Sequence, residues 1–144
     1  MWFKLNIPIL GVCYGLQVIA QMLGGKVKNT QDREFGKMEL FVDDNNGLFY
    51  RLPGNLTCWM SHGDQITKMP PGFSTIAHTL NTNYAAIACQ RKRIYGVQFH
   101  PEVVHTEFGQ KILGNFLRLT SAGSKTESRI DIKSIIAETK NVLA

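Results

Sequence analysis

Apolar and polar residues alternate in blocks along the chain, and each block predicts an element. Residues 7–12, Ile7-Pro8-Ile9-Leu10-Gly11-Val12, form a short apolar run with β-branched members. Such a run predicts a strand buried on both faces, of parallel type. A turn of small residues follows, and residues 16–23 then space Leu16, Ile19, Ala20 and Leu23 at helical intervals before Gly24-Gly25 stops them. The order is strand, tight turn, helix. Residues 35–42 read as extended, 43–47 as a polar turn, and 48–52 as a short helical turn closed by Pro53-Gly54. Residues 56–60 predict a strand that Ser61-His62-Gly63-Asp64 breaks with polar and small residues. Further strands are expected at 73–78, 85–89 and 94–99, the last two joined by a hairpin tip at Gln90-Arg91-Lys92-Arg93. Residues 106–119 place Phe108, Ile112, Leu113, Phe116 and Leu117 on one helical face. A small, polar linker over 121–129 precedes a second amphipathic helix within 130–144, carrying Ile132, Ile135 and Ile136 on one side.

The mixture predicts an α/β domain built around at least one strand-turn-helix unit. A buried first strand needs neighbours on both edges and a layer on each face. The chain opens almost directly into that strand.

Composition narrows the class without naming a function. With 144 residues, 44% of them apolar and 19% charged, the chain suits one globular domain. No apolar run approaches the ~20 residues of a membrane-spanning helix. The first residues lack a secretory h-region, so a cytoplasmic protein with no membrane partner is expected. The net charge of +5 comes from scattered cations, and the cluster Arg91-Lys92-Arg93 reads as a solvated turn. No basic stripe interleaved with aromatics suggests a nucleic-acid partner. Three cysteines without Cys-x-x-Cys spacing argue against disulfides or zinc. Cys58 and Cys89 lie in apolar runs and are expected as buried small hydrophobes. His78 is expected as a structural hydrogen-bonder and His105 as a cap for the helix after it. No arrangement of these residues proposes a metal.

Cys13 differs. In Gly11-Val12-Cys13-Tyr14-Gly15 it stands between glycines, after a strand and before a helix, the spacing of a nucleophile elbow with Cys in place of Ser. A sharp strand-to-helix turn thrusts its side chain out of the sheet, and flanking glycines relieve the crowding. The helix N-terminus turns amides and partial positive charge toward the sulfur. The backbone N–H of Tyr14 can face the oxyanion of a tetrahedral intermediate. Taken alone, the same pattern also describes a turn with a buried thiol.

A second constellation ends the strand at 94–99. In Gly96-Val97-Gln98-Phe99-His100-Pro101-Glu102 the histidine and glutamate are two residues apart. In extended backbone such residues point to one side, and Pro101 favours extension at His100. A carboxylate there fixes the imidazole tautomer and leaves the other ring nitrogen to accept a proton from a thiol.

These two segments resemble the signatures of the class I glutamine amidotransferases. Met60-Ser61-His62-Gly63-Asp64 resembles the variant found in the glutaminase domain of GMP synthase, and Arg33-Glu34-Phe35-Gly36 and Val104-His105-Thr106 fit that member better than its relatives. The match runs in register from about residue 6 to about residue 119. It implies an incomplete amidotransferase sheet of flavodoxin-like α/β type with flanking helices, spanning residues 1–120.

It also implies a mechanism. Cys13 is the nucleophile, His100 the base and Glu102 its orienter, while Tyr14, Gln17, Ser61, His62 and Gly63 hold L-glutamine. Glutamine is hydrolysed to glutamate and ammonia through a cysteinyl thioester. The ammonia passes to an ATP pyrophosphatase (synthetase) domain or subunit that aminates XMP to GMP. No cofactor is expected in this chain, and ATP and Mg would belong to the synthetase. Asp64 is expected toward that partner, and residues 130–144 resemble the connector helix entering it.

Against the family pattern, the N-terminal strands and their glycine-rich segment, which supplies a second oxyanion amide, are not in the sequence. A chain cut at both ends is therefore expected. Loss of one oxyanion donor typically costs about 10²–10³ in rate, so little glutaminase activity is expected of this chain by itself. Two other readings stay open on the same residues. One is a γ-glutamyl hydrolase or peptidase on the same elbow. The other is an inactive interaction module that binds a synthetase or pairs with a second copy.

Overall fold

The computed structural model describes residues 7–121. β1 (Ile9–Val12) passes through Cys13 into α1 (Tyr14–Met22), as the apolar run and the helical spacing predict. β2 (Lys26–Val42) and β3 (Asn55–Lys68) follow, with a 3₁₀ turn at Gly47–Phe49 between them. Then come β4 (Ser74–His78), β5 (Ala86–Cys89), β6 (Ile94–Val97) and α2 (Gly109–Ser121). The expected linker and second amphipathic helix beyond residue 121 lie outside the described residues.

All six strands form one curled sheet in the order β1-β6-β5-β4-β2-β3. β1 and β6 run parallel, with Gly11 opposite Gly96 and Val12 opposite Val97. The other neighbours are antiparallel. Every residue of β5 and β6 is buried, which explains their unbroken apolar character. Their neighbours alternate between two cores. Tyr95, Val97, Ala86 and Ala88 pack toward Ile112, Leu113 and Phe116 of α2, together with Leu40, Leu56 and Met60 of the long strands. Ile87 faces the other way, against Leu16 and Ala20 of α1 and Ile66 of β3. The fold is therefore α/β, with one helix on each face of the short strands. Among the described residues β1 has a single neighbour, β6, so the second edge partner expected from its apolar run is not seen there. No helix among the described residues is long and apolar enough to cross a membrane.

The sequence pattern fails at the long ribbon. β2 starts at Lys26 rather than at residue 35, and β3 continues through Ser61-His62-Gly63-Asp64 to Lys68, where a turn was expected. The ribbon ladder needs only backbone groups, and much of β2 is solvated. Polar side chains therefore do not interrupt it, and their period hides it. The irregularity expected near residues 61–64 sits on the partner strand instead. Asn29 pairs with Asp64 and Glu34 with His62, so residues 30–33 bulge out of β2 opposite Gly63. His105 lies against Trp59, ring centroids 4.7 Å apart.

Two glycines let α1 approach the sheet. A Cβ on Gly11 would lie 2.5 Å from Ile19 Cδ1 and 2.8 Å from the Gly15 backbone. One on Gly96 would run into the Leu16 side chain. Gly11→Ala is expected to cost about 1–3 kcal/mol by overpacking, read as a lower urea midpoint at unchanged slope; an unmoved midpoint would contradict this packing.

Candidate active site

The parallel pairing of β1 and β6 brings two strand ends together, and each delivers one reactive side chain. Cys13 is the first residue past β1. Its backbone sits at φ 55° and ψ −107°, a region that costs a non-glycine residue about 1–3 kcal/mol. Two bonds hold it there: Cys13 N–H donates to Val97 O at 2.7 Å, and Gln17 N–H donates to Cys13 O at 3.4 Å. The side chain makes no capping bond to α1. The sulfur is 3.7 Å from the Ser61 carbonyl oxygen and 3.7 Å from Gln98 Nε2, and it is near enough to the His100 ring to be the strongest influence on that ring's titration.

His100 stands three residues beyond β6. Its N–H donates to Trp59 O at 3.0 Å, and its carbonyl accepts from Thr106 Oγ1 at 2.6 Å. Thr106 Oγ1 in turn accepts from Trp59 N–H at 3.0 Å. The ring is thereby fastened to β3 from both sides of its own peptide. Nδ1 is 2.7 Å from Glu102 Oε1. A carboxylate accepts, so Nδ1 carries the hydrogen and Nε2 is left for the thiol. The neighbouring Cys13 sulfur and then the hydrogen bond to Glu102 outweigh burial and push the His100 pKa up from 6.5 to about 10. The side chains are 23% and 13% exposed, enough to meet a ligand and little enough to limit screening.

The remaining predicted residues are drawn into the same region with different roles. Tyr14 opens α1 and is exposed; its N–H is among the first of the helix, which lack intrahelical acceptors. Gln17 is buried, and its Nε2 donates to Asp64 O at 2.9 Å and to Gln98 Oε1 at 3.3 Å. Ser61 brings its backbone carbonyl to the sulfur. His62 turns inward: Nδ1 is 2.9 Å from Asp64 O and Nε2 is 3.2 Å from Glu34 Oε1, with both side chains almost fully buried. Gly63 lies beneath the Arg33 side chain.

Gln98 was missed by the sequence reading. It is fully buried and donates to the sulfur while accepting from Gln17. An amide inside an apolar run was the available signal, because a buried amide must be hydrogen-bonded. Cys58 and Cys89 are buried as expected. Burial, aided by the charge of Glu34, raises the Cys58 pKa to about 12, so Cys58 is not a nucleophile. Among the described residues no group of three or more His, Cys, Asp or Glu is placed to hold a metal ion.

A thiol on a strained bend, an imidazole against it and a carboxylate behind the imidazole can perform nucleophilic acyl transfer. Residues 1–119 match the family model described as glutamine amidotransferase class-I. The GMP synthase [glutamine-hydrolyzing] of Caldicellulosiruptor saccharolyticus is 53% identical over 115 residues, covering 80% of this chain and 22% of that protein. The Clostridium perfringens protein of that name is 45% identical over 150 residues, covering 99% of this chain and 30% of its own length. The chain thus spans less than a third of these curated relatives. Among solved structures, a Thermoplasma acidophilum protein described as a GMP synthase subunit superposes with TM-score 0.80 at 36% identity, covering 82% of this chain and 59% of that one. A Thermotoga maritima glutamine amidotransferase, 22% identical with TM-score 0.65 over 96% of this chain and 56% of its own, shares the fold.

The His100 geometry has a consequence for stability. The native state holds a proton on this ring up to about pH 10, whereas the unfolded ring releases it near 6.5. The ring's contribution is fully present below pH 6.5 and is lost as pH rises toward 10. Imidazole NMR shifts should show His100 protonated at pH 8, and Glu102→Gln should move its titration to lower pH; an ordinary titration near 6.5 in the unsubstituted protein would contradict the contact.

Proposed function

The chain belongs to the class I glutamine amidotransferase family, and on that premise we propose that Cys13, His100 and Glu102 form a glutamine-hydrolysing centre. The observation that carries this reading is the His100 ring, hydrogen-bonded on one side to Glu102 and raised in pKa most strongly by its neighbour Cys13.

The chemistry follows from the proton positions. With the proton on His100, the Cys13 thiolate attacks the side-chain amide carbon of L-glutamine. The C=O π bond opens to an oxyanion beside the Tyr14 N–H at the start of α1. The intermediate collapses as His100 gives its proton to the departing nitrogen. Ammonia leaves and a γ-glutamyl thioester remains. Water then attacks the thioester carbon while His100 takes its proton as base. The second intermediate expels the thiolate, and glutamate is released. Glu102 keeps the ring in the tautomer that serves both steps. The Ser61-His62-Gly63 backbone of β3 borders the sulfur at the Ser61 carbonyl and, with Gln17, holds the substrate.

The ammonia acceptor comes from the relatives. Their names support a GMP synthase-type system, in which XMP is aminated to GMP by an ATP pyrophosphatase domain or subunit, and that partner supplies the ATP and Mg site. Free thiols at Cys13, Cys58 and Cys89 suit a reducing compartment such as the cytoplasm.

Covalent labelling tests the centre directly, because it requires only the thiol, the ring and the substrate pocket. A glutamine-shaped chloroketone should modify Cys13 and no other cysteine, read by peptide mass spectrometry, and L-glutamine should protect it. His100→Ala should slow the reaction by about 10²–10⁴. Labelling that glutamine does not compete would remove the glutaminase reading and favour a non-catalytic module. Protection by γ-glutamyl peptides in place of free glutamine would favour the peptidase.

A further inference from the structure

Outside the Cys13-His100-Glu102 centre, the described residues hold one closed polar cluster, made by Glu34, His62, Thr79 and Thr82. Glu34 is 1% exposed, on β2 immediately after the bulge at residues 30–33. Its Oε2 accepts from Thr79 Oγ1 at 2.7 Å. Its Oε1 accepts from Thr82 Oγ1 and lies 3.2 Å from His62 Nε2. The two threonines are tied to each other, Thr79 N–H to Thr82 O at 3.0 Å and Thr82 N–H to Thr79 Oγ1 at 3.0 Å. A single carboxylate thus joins β2, β3 and the turn after β4. Burial opposes its charge, but the bonds from His62, Thr82 and Thr79 outweigh it and hold the Glu34 pKa below its ordinary value.

The cluster leads to the sulfur through consecutive hydrogen bonds. The Asp64 carbonyl can only accept, so His62 Nδ1 donates to it, at 2.9 Å. The same carbonyl accepts from Gln17 Nε2 at 2.9 Å. Gln17 Nε2 also donates to Gln98 Oε1, and this fixes the flip of the Gln98 amide so that its Nε2 faces Cys13 Sγ. On the other side of His62, the Ser61 carbonyl touches the same sulfur. His62 is therefore gripped at the centre of the stretch of β3 that borders the nucleophile. Backbone pairing alone does not set this stretch, because opposite it β2 bulges and the register slips.

We infer that Glu34 is a positioning residue for the proposed glutaminase centre: it clamps His62 and so fixes the Ser61-to-Asp64 backbone against Cys13 and Gln17. The inference rests on the glutaminase reading. It assigns Glu34 no contact with substrate. Its effect is on how well a glutamine-shaped molecule is presented to the sulfur, and the intrinsic reactivity of the sulfur with His100 is left alone.

The test compares two electrophiles at Cys13 in the full chain, with peptide mass spectrometry as the readout. Glu34→Gln keeps the shape of the side chain and removes its charge. The glutamine-shaped chloroketone should react about tenfold to a hundredfold more slowly, the scale of a misplaced binding element, while iodoacetamide, which needs no pocket, keeps its rate. Amide hydrogen exchange should quicken at residues 61–64 and not across β5 and β6. Thr82→Val removes one donor to the carboxylate and should shift the same ratio in the same direction by less; it decides the matter if Glu34→Gln does not fold. An unchanged ratio overturns the inference. So does an equal fall for both reagents with exchange raised throughout, which is what a merely structural carboxylate would give. If the unsubstituted chain does not favour the chloroketone over iodoacetamide, the glutaminase reading itself fails, a result distinct from either.

Discussion

The site depends on one pairing, the parallel ladder between β1 and β6. Val12 stands opposite Val97, and Cys13 N–H bonds to Val97 O. The two strand ends are thereby held at one height on the same side of the sheet. One step further along the first chain segment gives the sulfur, and three steps along the second give the imidazole. A shift of this register by one residue would turn His100 to the other side of the sheet. The reactive contact is thus specified by backbone hydrogen bonds of a sheet core in which every residue of β5 and β6 is buried.

The bend at Cys13 is the part that core must hold in place. A non-glycine residue at φ 55° and ψ −107° persists only where its surroundings leave no alternative. Here α1 is pressed onto β1 and β6 through Gly11 and Gly96, where no Cβ intervenes, and Leu16 fills the space so made. Close packing of the helix fixes the direction of its first turn, and that direction fixes the bend. Strain at Cys13 and missing side chains in the strands are two aspects of one arrangement.

How much of this was legible in the sequence follows from the range of each signal. The elbow is local: Gly11, Cys13 and Gly15 between an apolar run and a helical period place a thiol on a turn. His100 and Glu102 are local too, because extended backbone puts residues two apart on one side, and their 2.7 Å contact follows. The apolar runs at β4, β5 and β6 were found within a residue or two for the same reason. Half of the long ribbon was legible, residues 35–42 and 56–60, and the rest was not. The half of β2 carrying Lys26, Lys28, Asp32 and Arg33 has no apolar period, and only its partner across the ladder makes it a strand. Glu34 and Gln98 were obscured in another way. Each is a polar residue whose burial is decided by elements far away in the chain, and spacing carries no record of that.

The described residues contain three His–carboxylate pairs, and together they show what separates a reactive pair from a structural one. His78 Nδ1 is 2.8 Å from Asp43 Oδ2, but the side chains are 40% and 36% exposed, and a solvated pair of this kind contributes at most about 1 kcal/mol. His62 and Glu34 are sealed, and beyond each other their polar atoms meet hydroxyls and a carbonyl of the fold. That ring has nothing left to offer a substrate, so its value is mechanical. His100 shares features of both. Its carboxylate partner is as close as that of His78, and Cys13 and Glu102 raise its titration against the effect of burial. Yet the group that acts most strongly on its ring is the Cys13 sulfur. The carboxylate contact is common to all three, and distance to a partner does not sort them. The group met by the far side of the ring does. In this fold a backbone carbonyl makes histidine a fastening, and a neighbouring thiol suits it to the proton-carrying role proposed for His100.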